Sequence, residues 1–220
     1  MRVLTITECE KPRTPRELRS WVDRKLRVLS STRAVRNQVR LRRLRYSKWF
    51  MEEIFPLSRF GTIHFRNRTD VTLRPIKGSQ KFDAEIASSA VQPFNRIEIT
   101  HAGQNQEEYF RMLYLEQHGS VPMLGPITAK RDQAGRLVVE TVSEAHSHQA
   151  VRDRILAMVL ERVEAKAKKC YAPDVALLVA FSPLIPPTDE DREAIAEFAQ
   201  RRLKTIHGEF SDIFLVSTFG

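Results

Sequence analysis

The sequence predicts an α/β protein: a mixed β-sheet flanked by helices on both faces, preceded by a basic helical arm. Three observations lead there. Apolar residues recur at helical spacing in the first 56 positions, and near residue 60 the pattern changes to short β-type runs. Two later runs, "DVALLVAF" at 174–181 and "DIFLVST" at 212–218, are apolar almost without alternation, as in strands covered on both faces. Finally, 220 residues with 42% apolar and 29% charged content suffice for one full core. The expected organisation is a basic arm over 1–56 and an α/β domain over 57–220.

The elements follow in order. Thr14-Pro15-Arg16-Glu17 is a capping box with proline at the first helical position, where its missing N–H is harmless. Leu18, Trp21, Val22, Leu26 and Leu29 continue that helix. "SST" at 30–32 offers a second cap, and a helix over "RAVRNQVRLRRLRYSKWFMEEIF" is expected to end at Pro56. "FGTIHF", "VTLRPI", "KFDAEI" and "NRIEIT" read as strands, and "QNQEEYFRMLYLEQHG" as a helix stopped by Gly119. "ITAKRDQAGRLVVETV" is a hairpin turning at Asp132 to Gly135. Over 147–170, Val151, Ile155, Val159 and Val163 form an i+4 seam, and Lys166, Lys168 and Lys169 suit the negative end of that helix. Thr188 caps the last helix.

Charge is unevenly placed. Residues 1–80 hold 20 Lys/Arg against 7 Asp/Glu, a balance of +13, whereas residues 81–220 hold 16 against 20, a balance of −4. Such asymmetry predicts one basic surface and a polyanionic partner. The first 50 residues contain 12 Arg and 3 Lys, a preference for forked phosphate contacts, and Arg33, Arg36, Arg40 and Arg43 form one helical stripe. Nucleic acid is the expected partner, DNA before RNA. A membrane is not: no apolar run approaches the roughly 20 residues needed to cross one. The apolar sector of the basic helix, with Trp21, Trp49 and Phe50, is sized for packing on a core and not for lying on a lipid surface. Two cysteines, Cys9 and Cys170, lack metal-type spacing and give no disulfide framework, so the cytoplasm is the expected compartment.

The chemistry-bearing stretch is "KFDAEIASSAVQPFNRIEITHA" at 81–102. In the first strand Phe82, Ala84 and Ile86 share one side, and Lys81, Asp83 and Glu85 the other. In the second, Ile97 and Ile99 oppose Arg96, Glu98 and Thr100. Pairing of the two strands brings carboxylates together, where like charges repel unless a cation intervenes. Hard divalent ions take such oxygens and retain waters. A hairpin with one wet face, neutralised by Lys81 and Arg96, would show the same alternation.

With its helix, meander, second helix and buried strand, the segment "FDAEI…RIEIT" followed by "DVALLVAF" resembles the PD-(D/E)XK nuclease superfamily, over residues 45–181. The resemblance implies a restriction-endonuclease-like fold and a Mg²⁺- or Mn²⁺-dependent phosphodiesterase, with Asp83 and Glu98 as metal ligands and catalytic acids. It implies Glu53 as an accessory acid, and either Glu85 or Glu53 as the group that completes a second ion site. The family's lysine is replaced by Thr100, for which Lys81 and Gln104 are the polar substitutes in reach. That departure leaves open a catalytically inactive nucleic-acid-binding or accessory protein on the same fold. Glu144, His146 and His148, and separately His101, are read as exposed or structural. No phosphate-cradling Gly-rich loop, Gly-x-Ser-x-Gly elbow or Cys-x-x-Cys occurs, so nucleotide hydrolases, serine hydrolases and zinc modules find no support.

Overall fold

The computed structural model describes residues 3–218 except 104, 123, 184, 185, 207 and 208. A mixed five-stranded sheet forms the centre, in the order β1 (Val71–Pro75), β2 (Ala84–Ser88), β3 (Arg96–Ala102), β6 (Val175–Phe181), β7 (Ile213–Ser217). The first three strands are antiparallel neighbours, and β3, β6 and β7 are parallel. The remaining strands, β4 (Ile127–Arg131) and β5 (Leu137–Thr141), make a separate hairpin closed as expected at Gly135, whose φ is +77°. Asp132 stabilises that turn by accepting from the backbone N–H groups of Ala134 and Arg136.

Helices cover both faces. On one lie α1 (Ile6–Cys9), α2 (Pro15–Leu29) and a helical run over 47–65 that opens with α4 (Ser47–Trp49). Leu18, Val22, Phe50, Ile54 and Leu57 there bury against Val71, Leu73, Ala84, Ile97 and Leu178. On the other lie α7 (His148–Ala167) and α8 (Asp189–Phe198), whose apolar seam packs on Leu177, Val179 and Phe181. All four seam valines and isoleucines of α7 are buried, and every residue of β6 is buried, as its unbroken apolar run requires. A third cluster joins α6 (Asn105–His118), the hairpin and Leu41, which ends α3 (Arg33–Arg40).

Three expectations about the first 65 residues change. Residues 3–56, read as an arm, share one apolar cluster with the sheet, and Arg13 bridges to Leu73 of β1 by two backbone hydrogen bonds. The second helix does not run unbroken to Pro56: Arg42 and Tyr46 take positive φ values of 56° and 66° and divide it. Nor does Pro56 stop the chain. It sits in the first turn of α5 (Phe55–Phe60), and a π-helical turn at Phe50–Ile54 precedes it, in which the Phe55 N–H reaches the Phe50 carbonyl. That wider register accommodates the residue that has no N–H to give. "FGTIHF", expected as a strand, completes the run as a second π-helical turn over Gly61–Phe65. Its alternation of apolar and small residues matches a strand, but Phe60 and Phe65 are both buried and meet edge to face at 5.7 Å.

Candidate acidic site at the fork of two strands

Strands β2 and β3 pair only at Ala84 with Ile97 and at Glu85 with Arg96. One residue earlier the Asp83 backbone N–H still donates to the Ile97 carbonyl at 2.8 Å, the last bond of that ladder among the described residues. Asp83 stands at this fork, and its carboxylate takes over the ladder's work by accepting from the Ile99 backbone N–H at 2.7 Å. Beyond that point the β2 side of β3 is open, while its other side stays paired to β6 through Ala102. The fork is therefore where side chains from both helical layers can approach one strand edge.

Glu98 enters from β3 on the face toward α7. It is 7% exposed and lies opposite Leu177 in the parallel register. Two groups meet its Oε1: the ammonium of Lys166, from the last turn of α7, and the phenol O–H of Tyr171, at 3.3 Å, from the loop that follows. Burial and the nearby carboxylates of Glu98 and Asp83 push the Tyr171 phenol upward, so it stays a donor. Glu53 approaches from the opposite layer, on the π-helical turn.

The electrostatics of this group are unbalanced. Burial, then the charge of Glu98, raise Asp83 from 3.8 to about 6 against the Ile99 N–H and the more distant Lys166. Burial, then the charge of Asp83, raise Glu53 from 4.5 to about 8. The Trp49 indole N–H is buried beside Glu53 without a hydrogen bond of normal geometry. Two ammonium groups answer these three carboxyl groups: Lys166 at Glu98, and Lys77, whose charge opposes the upward shift of Glu53. Burial and the neighbouring acids outweigh both cations at Asp83 and Glu53, whose carboxyl groups stay raised. Among the described residues no three His, Cys, Asp or Glu side chains converge closely enough to form a metal cage. The donors that do exist are hard carboxylate oxygens, those of Asp83 just ahead of β2 and of Glu98 on β3. That suits Mg²⁺, which is held by one or two carboxylates together with waters and substrate phosphates.

The other sequence candidates distribute as follows. Thr100 occupies the next position on the Glu98 side of β3, opposite Val179. Lys81 does not join the acids; its ammonium donates to the Cys170 carbonyl at 3.1 Å, at the end of α7. Glu85 is drawn to Arg74 across the β1–β2 ladder at 3.5 Å and is half-exposed, so it does not belong to the group either. Gln104 lies outside the described residues. Among the arginines, Arg36 donates to the Ser30 carbonyl at the end of α2, and Arg43 pairs with Glu116 of α6 at 3.2 Å. Arg33 is exposed. Arg40, with Arg42 and Lys48, lines a cleft that begins at His101 on the open edge of β3. His146 pairs with Glu144 at 3.3 Å, and His148 lies 3.7 Å from Asp191 in the first turn of α8, so this trio forms no ligand set.

Lys166 and Tyr171 escaped the sequence reading. By position in the last turn Lys166 suits the helix dipole, yet it lies three residues after Val163 and seven after Val159, on the buried seam. A lysine on an apolar stripe was the available signal. Tyr171 carried none, because a loop tyrosine has no periodicity to place it. No family model, no curated protein and no solved structure matches this chain.

Proposed function

We propose that the protein is a divalent-metal-dependent phosphodiesterase acting on nucleic acid, a divergent relative of the PD-(D/E)XK nucleases in which Lys166 of α7 replaces the strand lysine. The observation that carries this reading is the juxtaposition of Asp83, Glu98 and Lys166 at the β2–β3 fork. An antiparallel meander leading into parallel β3 and β6, joined through α6, the β4–β5 hairpin and α7, supports it.

Asp83 and Glu98 would hold Mg²⁺ or Mn²⁺, with Glu53 as the adjoining acid. When bound, the ion supplies Lewis acidity toward a phosphate oxygen and lowers the pKa of a water. The chain's own groups do the rest. The Ile99 N–H fixes the Asp83 carboxylate on the strand edge. Tyr171 fixes that of Glu98. Lys166 sets a positive charge beside Glu98, where it offsets the charge of a phosphate and of the pentavalent state that follows attack. Thr100 has no charge to contribute there, and on this reading its loss of the lysine is made good from the helix. Arg40 and Arg42 hold the strand by its backbone next to the site.

The test is cleavage of DNA and RNA substrates in Mg²⁺ or Mn²⁺ by the wild type and by Asp83→Asn, Glu98→Gln and Lys166→Met. Loss of turnover in all three, with nucleic-acid binding retained, is expected. Turnover that survives Asp83→Asn and Glu98→Gln together sinks the reading. One observation favours a second reading, a binding protein without turnover: Lys166 already neutralises Glu98, in part satisfying the site without a metal. Salt-sensitive binding that Mg²⁺ leaves unchanged, with no cleavage of any substrate, identifies that case.

A further inference from the structure

The parallel strands β3, β6 and β7 end on one rim of the sheet, and open α/β sheets present ligand crevices at such carboxyl ends. A cavity of about 300 Å³ lies there, reaching from His101 to Ser182 and Thr218, which follow β6 and β7. A second of about 290 Å³ adjoins it across His101, Met112 and Ser182. Neither includes Asp83 or Glu98. His101 nevertheless stands only two residues along β3 from Ile99, the donor to Asp83, which is roughly 7 Å of extended chain.

The lining divides by chemistry. Half-buried Tyr109 and Met112 of α6 and Met51 of the π-helical turn give a flat, polarisable wall. The Nδ1 of His101 is buried and has no hydrogen-bond partner among the described residues. Burial lowers the pKa of this imidazole, so it is neutral and carries one donor and one acceptor. At the mouth Arg40, Arg42 and Lys48 outnumber the carboxylates of Glu52 and Glu108. Arg42 and Lys48 share Glu52, at 2.9 and 3.8 Å.

We propose that this cleft binds an unstacked nucleobase of a single-stranded nucleic acid, with the base against Tyr109 and Met112 and its hydrogen-bonding edge at His101. The cations at the mouth hold the adjoining phosphate. The inference rests on the phosphodiesterase reading and deepens it, because it makes an unpaired strand the substrate. A base inside a duplex cannot enter a recess of this kind without being extruded, which costs stacking and pairing. An unpaired base enters freely and gains stacking on an aromatic ring.

Fluorescence anisotropy in EDTA, where nothing is cleaved, tests it. The ligands are an end-labelled single strand, a blunt duplex of the same length and, as competitor, a free nucleoside monophosphate. The wild type is expected to bind the single strand at least about tenfold tighter than the duplex, and Tyr109→Ala to lose about tenfold on the single strand alone. Because Tyr109 also packs against the third apolar cluster, a second variant, Ser182→Trp, fills the exposed rim without removing any packing. It should erase the same preference. Equal affinities for strand and duplex, or a preference untouched by both variants, overturns the proposal. So does a monophosphate that binds in a Tyr109-dependent way while the strand shows no advantage, since the pocket would then serve a free nucleotide. Duplex cleavage that needs Asp83, without any single-strand preference, sinks this inference and leaves the phosphodiesterase. Tyr109-dependent single-strand binding without cleavage in Mg²⁺ or Mn²⁺ leaves the pocket and sinks the phosphodiesterase.

Discussion

Lys166 in the last turn of α7 holds the Glu98 carboxylate of β3 across 68 positions of sequence. Their side chains are only 21% and 9% exposed, so neither charge has water enough to stand alone. Removing one partner strands the other. Lys166→Ala should therefore destabilise the fold by about 3 kcal/mol, measured by urea unfolding. The double replacement Lys166→Met with Glu98→Leu should recover most of that loss, because it removes both desolvation penalties together. A Lys166→Ala variant as stable as the wild type would mean that the pair is exposed in solution.

The acids at the fork make stability fall as pH rises. Asp83 is raised from 3.8 to about 6 and Glu53 from 4.5 to about 8, in each case first by burial and then by a neighbouring carboxylate. Between about pH 4 and pH 8 the folded chain thus binds more protons than the unfolded one, and each proton given up costs stability. Below that window the penalty is absent; above it the penalty is complete. Glu53→Gln should match the wild type at pH 4 and exceed it at pH 9 by roughly 1–3 kcal/mol. Parallel stability profiles for the two proteins would show that Glu53 titrates normally.

Asp83 separates charge from hydrogen bonding. Asp83→Asn keeps an oxygen for the Ile99 N–H and removes the repulsion from Glu98. At pH 7.5 it should be more stable than the wild type by about 1 kcal/mol and, if the proposed phosphodiesterase reading holds, lose metal-dependent cleavage. Asp83→Ala leaves the N–H unpaired and should cost about 1–3 kcal/mol instead. Thermal or urea unfolding of the two variants side by side decides it: an Asn variant as damaged as the Ala variant would locate Asp83's value in its charge.

The basic surface should prove narrower than its arginine count. Arg40 lines the cleft, whereas Arg36 is spent on the Ser30 carbonyl at 2.7 Å. Arg40→Gln should flatten the log–log salt dependence of single-strand binding by about 0.7, and Arg36→Gln should leave it unchanged. Equal effects from the two would point to a diffuse field in place of a defined contact.

By itself the sequence determined the period of almost every element. The four-residue apolar seam of α7, the unbroken β6 and the capping boxes at Thr14 and Thr188 are local patterns, and local pattern is what sequence displays. It also named Asp83 and Glu98, because alternation in a strand fixes which side chains share a side. Where local signals conflicted, as at Pro56 and "FGTIHF", packing of the aromatic side chains against the sheet overrode them. What only the tertiary structure decided is which cation answers the acids. Lys81 lies two residues from Asp83 yet reaches for Cys170, and Lys166 arrives from a helix laid across the sheet. Sequence distance says nothing of that choice, because it is made by the crossover that stacks α7 on β3. The strength of a charge pair depends on separation in space and on how much water the fold has removed.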